Sequence, residues 1–284
     1  MTKLTGRIES AEIPAQVPKS VILQTLELTR RFEKSTAVDA LNISVASGEV
    51  FGLLGPNGAG KSTVIKMLTT LLPVSSGKAY LAGYDVIHQP DAVRRAIGYV
   101  PQALSADGTL TGYENLLIFS KLYDIPPRRR KQQISEVLEF MGLEDVAHQL
   151  VRTFSGGMIR KLEIAQAILH QPQILFLDEP TVGLDPVART QVWQLVQQLC
   201  REYGTTIFLT THFLEEADHL CNRVVIMNQG KEIITGSPSD LKAAIGKPEA
   251  TLDDVFIHYA GNQLVSGVSY RETARTRRTT QRLG

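Results

Sequence analysis

One short stretch, GPNGAGKST at residues 55–63, constrains the fold of this chain more than any other part of the sequence. It follows a compact apolar run, Val50 to Leu54, and precedes apolar residues at helical spacing. A strand, a glycine-rich turn ending in Gly-Lys-Ser and a helix form a P-loop. In a P-loop, backbone N–H groups turn inward around a phosphate at a helix N-terminus. The stretch therefore predicts an α/β protein that binds a nucleotide, against the alternative of a glycine-rich turn with a chance lysine.

The loop residues have separate expected roles. Lys61 is expected to reach the β- and γ-phosphates, the Ser62 hydroxyl to coordinate Mg²⁺, and Thr63 to add a phosphate contact. The predicted nucleotide contacts comprise the whole loop: Gly55, Pro56, Asn57, Gly58, Ala59, Gly60, Lys61, Ser62 and Thr63.

A second motif, ILFLDEP at residues 174–180, has the pattern of a buried strand that ends in two acidic residues. Ligands bind at the carboxyl ends of strands in open α/β sheets. We therefore expect Asp178 to be a Mg²⁺ partner and Glu179 to orient or deprotonate the attacking water. The alternative is an acidic pair that merely begins a loop, and the P-loop earlier in the chain disfavours it.

Short apolar strands alternate with helical segments, which favours a parallel α/β sheet with a helical insertion. The predicted bounds are a loose arm at 1–20, a main domain at 21–245 with a helical stretch at about 103–160, a helical extension at 246–266 and a disordered basic tail at 267–284. In the extension, TLDDVFIHYAG combines a capping-box pattern with an apolar face, and both indicate a helix.

Composition excludes several classes of protein. A formal net charge of +1 gives no electrostatic case for nucleic-acid binding, so we expect no nucleic-acid partner. The apolar runs are too short for a transmembrane helix, and the first residues lack the apolar middle of a secretory signal. The two cysteines have no metal-type spacing, which favours a reduced cytosolic protein.

The order of the motifs resembles that of ABC-type ATPase domains. GPNGAGKST, Gln102 in YVPQ, FSGGM at 154–158, ILFLDEP, GLD at 183–185 and His212 follow one another as in that family, and the resemblance covers about residues 21–260. It implies a P-loop core with an antiparallel β-subdomain and an inserted α-helical subdomain. It also implies ATP and Mg²⁺ as cofactors.

The resemblance assigns roles to three further residues. Phe32 resembles the aromatic residue that stacks on adenine, although a buried aromatic at a strand end is the alternative. Gln102 is similar to the glutamine that contacts Mg²⁺ or its water and senses the γ-phosphate. His212 resembles the switch histidine at the γ-phosphate, whereas a lone histidine would otherwise be structural.

The FSGGM turn departs from Leu-Ser-Gly-Gly-Gln, the commonest form of the family's signature. Phe154 replaces Leu and Met158 replaces Gln, while Ser155, Gly156 and Gly157 are retained. The resemblance implies that this turn covers the γ-phosphate of ATP bound to a second subunit. The substitution at Met158 puts one side-chain contact in doubt and leaves the anion-binding turn intact.

The resemblance also implies partners. Asp185 is expected at the interface with a second ATP-binding subunit, or as the cap of the helix that begins at Pro186, and both roles can hold together.

The signature, FLDEPTVGLDP and the terminal LDDVF resemble ATP-binding subunits of ABC-2-type exporters. We therefore expect a homodimer rather than a heterodimer, on the cytoplasmic face of the cell membrane, which powers a separate permease. The alternative is a soluble ABC-type ATPase that acts as a regulatory switch without transport.

Overall fold

The computed structural model describes residues 21–247 and 249–260. The predicted arm at 1–20 and basic tail at 267–284 lie outside the described residues, as does the extension beyond residue 260. No helix in the described ranges is long and apolar enough to cross a membrane.

Two sheets form the framework. The strands, in chain order, are β1 (Val21–Phe32), β2 (Ser35–Leu41), β3 (Ser44–Ala46), β4 (Val50–Leu54), β5 (Ser76–Leu81), β6 (Tyr84–Asp85), β7 (Ile97–Val100), β8 (Ile174–Asp178), β9 (Thr206–Thr211), β10 (Arg223–Asn228) and β11 (Lys231–Gly236). The larger sheet has the order β11-β10-β4-β9-β8-β7, parallel except for the β10–β11 pair. The smaller sheet is antiparallel, in the order β2-β1-β5-β6, with β3 paired to β1.

The helices cover the larger sheet and form an insertion. They are α1 (Lys61–Leu68), α2 (Pro90–Ala96), α3 (Gly112–Leu122), α4 (Pro127–Met141), α5 (Gly156–Ile168), α6 (Pro186–Tyr203), α7 (Leu214–Leu220), α8 (Pro238–Ala244) and α9 (Leu252–Ala260). Helices α3 to α5 lie between β7 and β8, so they interrupt the parallel sheet in sequence. The insertion includes two short 3₁₀ turns, Glu144–Val146 and Val151–Thr153, and the predicted limit near residue 160 falls within α5.

Both faces of the parallel sheet are buried, which explains its continuous apolar strands. Successive residues of a strand point to opposite faces. Accordingly, Phe51 and Phe176 pack in one core with α1 and the smaller sheet. Leu54 and Leu177 belong to the other core, which also includes α5 and α6. The predicted α/β fold, with its antiparallel sheet and helical insertion, is confirmed.

Helix α9 begins at the predicted capping box. The Thr251 hydroxyl accepts a hydrogen bond from the Asp254 N–H at 3.2 Å, and the Asp254 carboxylate accepts one from the Thr251 N–H at 3.1 Å. Leu252, Val255 and Phe256 are buried against the core beside the sheet. The apolar face predicted from the sequence therefore anchors this helix to the main domain.

Candidate functional site

The loop from Gly55 to Gly60 joins the end of β4 to the start of α1, and its backbone requires glycine at both ends. Gly60 has φ +102°, and a Cβ added there would lie 2.4 Å from the Ala37 carbonyl oxygen. At Gly55 the added Cβ would lie 2.4 Å from the Met227 carbonyl oxygen. A side chain fits at neither position, because strand β2 and the end of β10 press on the loop from two sides.

Lys61 is buried and its ammonium group lies within the loop. It donates hydrogen bonds to the carbonyls of Gly55 at 2.8 Å and Pro56 at 3.2 Å. Its Nζ is also 3.3 Å from Glu179 Oε1. The positive charge is therefore held at the mouth of the P-loop, where bound phosphates would meet it together with the N-terminus of α1.

Ser62 and Asp178 meet as the motif spacing predicts. The Ser62 hydroxyl donates to Asp178 Oδ1 at 3.1 Å, and the Thr210 hydroxyl donates to the same oxygen at 2.6 Å. Asp178 is only 3% exposed. A hydroxyl and a carboxylate are hard oxygen donors that suit Mg²⁺, which is commonly held by one or two protein groups and the substrate phosphates. These residues therefore fit the expected metal.

Glu179 occupies the centre of the site in a strained backbone conformation. Its φ is +51°, in a region that non-glycine residues seldom adopt. Its N–H donates to the Thr210 carbonyl at 3.0 Å, which fixes the turn at the end of β8. The carboxylate lies between two basic groups, since Oε1 faces Lys61 and Oε2 is 2.9 Å from His212 Nδ1. The structure thus brings the predicted base and the predicted switch histidine into direct contact.

Two other predicted residues lie at the edges of this cluster. Phe32 is 45% exposed at the end of β1, with the Arg30 guanidinium 4.7 Å from its ring centroid, so it is not the buried aromatic of the alternative reading. Gln102 is exposed in the loop after β7, and its side chain is not among the groups that hydrogen-bond to Asp178 or Glu179 in the described chain. Both stay predictions as ATP contacts.

The signature turn lies at the start of α5. Ser155 is the N-cap, and its hydroxyl accepts from the Met158 N–H at 3.2 Å. Ser155 and Gly156 are exposed, whereas Gly157 is buried so closely against α6 that an added Cβ would lie 2.8 Å from the Ala188 Cβ. The turn therefore presents a capped helix N-terminus to solvent.

Asp185 is the N-cap of the neighbouring helix α6. Its carboxylate accepts from the N–H groups of Val187 and Ala188, each at 2.9 Å. The capping role predicted from the Asp-Pro sequence is therefore confirmed. Because Gly157 packs against Ala188, the starts of α5 and α6 lie side by side, and Asp185 is exposed.

One buried carboxylate near the site was not anticipated from the sequence. Glu216 on α7 is 0% exposed. It accepts from the Thr181 hydroxyl at 2.8 Å and from the Trp193 indole N–H at 3.0 Å. Thr181 follows Glu179 by two residues, so Glu216 joins the turn after β8 to the segment that carries His212. Burial raises the pKa of the Glu216 carboxyl.

The Glu216 contacts lead to a stability prediction. Glu216→Ala leaves the buried Thr181 hydroxyl and Trp193 N–H without an acceptor, so we expect a loss of about 2–4 kcal/mol in the free energy of unfolding. Glu216→Gln keeps one acceptor oxygen at the same length and should cost about 1 kcal/mol. Urea unfolding of the three proteins measures both values, and equal losses for Ala and Gln would contradict this account.

The raised pKa of Glu216 gives the stability of the wild type a pH dependence with a definite sign. A carboxyl whose pKa is higher in the folded state stabilises that state most below its unfolded pKa. This contribution is lost as the pH rises through the folded pKa, whereas the amide of Glu216→Gln does not titrate. We therefore expect the wild type to lose stability relative to Glu216→Gln as the pH rises across this range.

Comparison with known proteins agrees with this geometry. Residues 38–182 match the family model described as ABC transporter. The daunorubicin/doxorubicin resistance ATP-binding protein DrrA of Streptomyces peucetius is 44% identical over 79% of this chain and 68% of its own length. The linearmycin resistance ATP-binding protein LnrL of Bacillus subtilis is 41% identical over 79% and 72%.

Solved structures show the same fold. The ATP-binding subunit of an ABC transporter superposes with a TM-score of 0.75 at 28% identity, covering 84% of this chain and 99% of the other. The ADP conformation of an ATP-binding cassette from an ABC transporter gives a TM-score of 0.72 at 25% identity, covering 84% and 98%.

Proposed function

The chain belongs to the ABC transporter family as an ATP-binding, ATP-hydrolysing domain that uses Mg²⁺, and we propose that it powers an ABC-2-type exporter through a separate membrane permease. The observation that carries the catalytic part is the Glu179 carboxylate, held between Lys61 and His212 at the end of a buried strand. The resistance functions in the relatives' names favour export of a toxic compound.

We assign the roles of Lys61, Glu179 and His212 by their contacts, and those of Gln102 and Phe32 by the family resemblance. The P-loop N–H groups and Lys61 bind the phosphates, while Ser62 and Asp178 would hold a Mg²⁺ ion, which would neutralise phosphate charge. Glu179 accepts the proton of the attacking water, because it is the carboxylate closest to both Lys61 and the switch histidine. His212 keeps that carboxylate oriented. Gln102 completes the site by contacting Mg²⁺ or its water and sensing the γ-phosphate, and Phe32 by stacking on adenine.

The second half of each ATP site comes from another copy of the chain. Ser155 and Gly156 are exposed on a capped helix start, and neither hydrogen-bonds to Lys61 or Glu179 within the described chain. An exposed helix N-terminus binds anions, so it can cover the γ-phosphate of a facing subunit. Asp185, on the adjacent helix start, lies at the same interface. One complete motif set allows two equivalent sites in a homodimer.

Drug susceptibility tests the transport role. A host that lacks the chain should become sensitive to a toxic compound, and the wild-type gene should restore growth while Glu179→Gln, which keeps the fold, should not. The wild-type chain should also co-purify with an integral membrane protein from detergent-solubilised membranes. In intact cells the chain should lie on the cytoplasmic face of the membrane. Unaltered susceptibility together with full ATP turnover and no membrane partner would favour the regulatory ATPase instead.

A further inference from the structure

Arg160, in the second turn of α5, carries a buried charge outside the catalytic cluster. Arg160 is 1% exposed and ranks among the largest fully buried side chains of the described residues. Arginine is almost never fully buried unless it is paired, since removing its charge from water is expensive. The hydrogen-bond and ion-pair partners of Arg160 therefore indicate its structural role.

Arg160 binds the backbone of the loop that carries Gln102. Its Nη1 donates to the Pro101 carbonyl at 2.8 Å and its Nη2 to the Gln102 carbonyl at 2.9 Å. Its Nη1 is also 3.0 Å from Glu163, one turn further along α5, and both side chains are 1% exposed. The start of the loop is therefore fastened to the helix by a rigid, forked group.

Glu163 binds a second point of the same loop, at Ser105. One carboxylate oxygen accepts from the Ser105 N–H and from the Ser105 hydroxyl. The loop has no helix or strand of its own between Val100 and Gly112, so these side chains supply partners that secondary structure does not. Burial lowers the pKa of the Arg160 guanidinium, and the carboxylates of Glu163 and Asp178 oppose that shift.

We propose that Arg160 and Glu163 are positioning residues that make the Gln102 loop and the signature turn move as one unit, and thereby couple the two ATP sites of a dimer. The inference rests on the proposed two-subunit site. Gln102 senses the nucleotide of its own subunit, whereas Ser155, at the start of the same helix, covers the nucleotide of the partner. A rigid connection between them transmits the state of one site to the other.

The test replaces the pair with apolar residues of similar size. Arg160→Met/Glu163→Leu removes both charges together and so avoids leaving one unpaired. We expect unchanged ATP affinity of the isolated chain and amide exchange at Ser105 accelerated by about tenfold or more. The Hill coefficient of ATP hydrolysis should fall to about one. The matched control, Lys242→Met/Asp218→Leu, removes a 2.7 Å ion pair between α8 and α7 and should leave exchange and cooperativity as in the wild type.

Two further variants keep the test decisive. Ser105→Pro removes the backbone N–H that donates to Glu163, at an exposed loop position, and leaves the buried pair itself unchanged. This variant should lower cooperativity even if the double variant does not fold. Glu163→Gln keeps an acceptor for Ser105, and Arg160 keeps its hydrogen bonds to the Pro101 and Gln102 carbonyls, so this variant should retain most of the cooperativity. Wild-type cooperativity in the double variant and in Ser105→Pro would overturn the inference. A wild type with no cooperativity and no ATP-dependent dimer would instead contradict the proposed two-subunit site.

Discussion

Replacing Glu179 with glutamine is expected to slow ATP hydrolysis by about a hundredfold or more while ATP still binds. The Glu179 carboxylate can take a proton from water while Lys61 and His212 hold it on either side. Glutamine has the same length but cannot act as a base. The P-loop and Lys61, which bind the phosphates, are unchanged, so nucleotide affinity should persist.

Steady-state turnover and fluorescent-nucleotide titration measure the two halves of this prediction. The matched control is Glu215→Gln, a change of the same kind at an exposed position on α7. It should leave turnover and affinity as in the wild type. Wild-type turnover in Glu179→Gln would show that another group activates the water, and loss of ATP binding would show a structural role for Glu179.

Replacing Ser155 with arginine is expected to reduce turnover by about a hundredfold, because losing one transition-state donor costs on the order of 3 kcal/mol. The larger side chain would also block the close approach of the signature turn to a facing subunit. Binding of ATP to the isolated chain should not change, since Ser155 makes no hydrogen bond to Lys61 or Glu179 within the described residues.

Ser155→Arg also removes a helix cap, and a second cap in the chain provides the control. Ser237 is the N-cap of α8, and its hydroxyl accepts from the Asp240 N–H at 3.1 Å, much as Ser155 does for Met158. Ser237→Arg should cost a similar amount of stability, about 1 kcal/mol, with no loss of turnover. Equal turnover in the two arginine variants would contradict a role for Ser155 beyond capping.

The sequence predicts the parts of the site that are local in the chain. The P-loop lies between a strand and a helix, and ILFLDEP forms a buried strand. Apolar runs and turn residues alone therefore predict where the side chains of these two motifs lie in the fold. Asp185 and Thr251 cap helices as their local patterns predict. The meeting of Ser62 with Asp178 follows because parallel strands end at one edge of the sheet.

The residues missed by sequence analysis depend on contacts between distant segments. Arg160 and Glu163 lie in a helix whose polar residues look like an ordinary solvated face, and only the packing of the Gln102 loop buries them. Glu216 follows Glu215 in a short acidic helix start, yet Thr181 and Trp193 enclose it. An i,i+3 pair of opposite charge is equally compatible with a surface position, so spacing carries no signal of burial.

The two-subunit ATP site is tested most directly by the molar mass of Glu179→Gln in analytical ultracentrifugation, because this variant should bind ATP without hydrolysing it. We expect a monomer with ADP and a dimer with ATP and Mg²⁺. Adding Ser155→Arg to the same chain should restore the monomer while ATP remains bound, whereas adding Ser237→Arg should leave the dimer intact. A chain that stays monomeric with ATP bound, or one that dimerises regardless of nucleotide and of Ser155, would contradict the account.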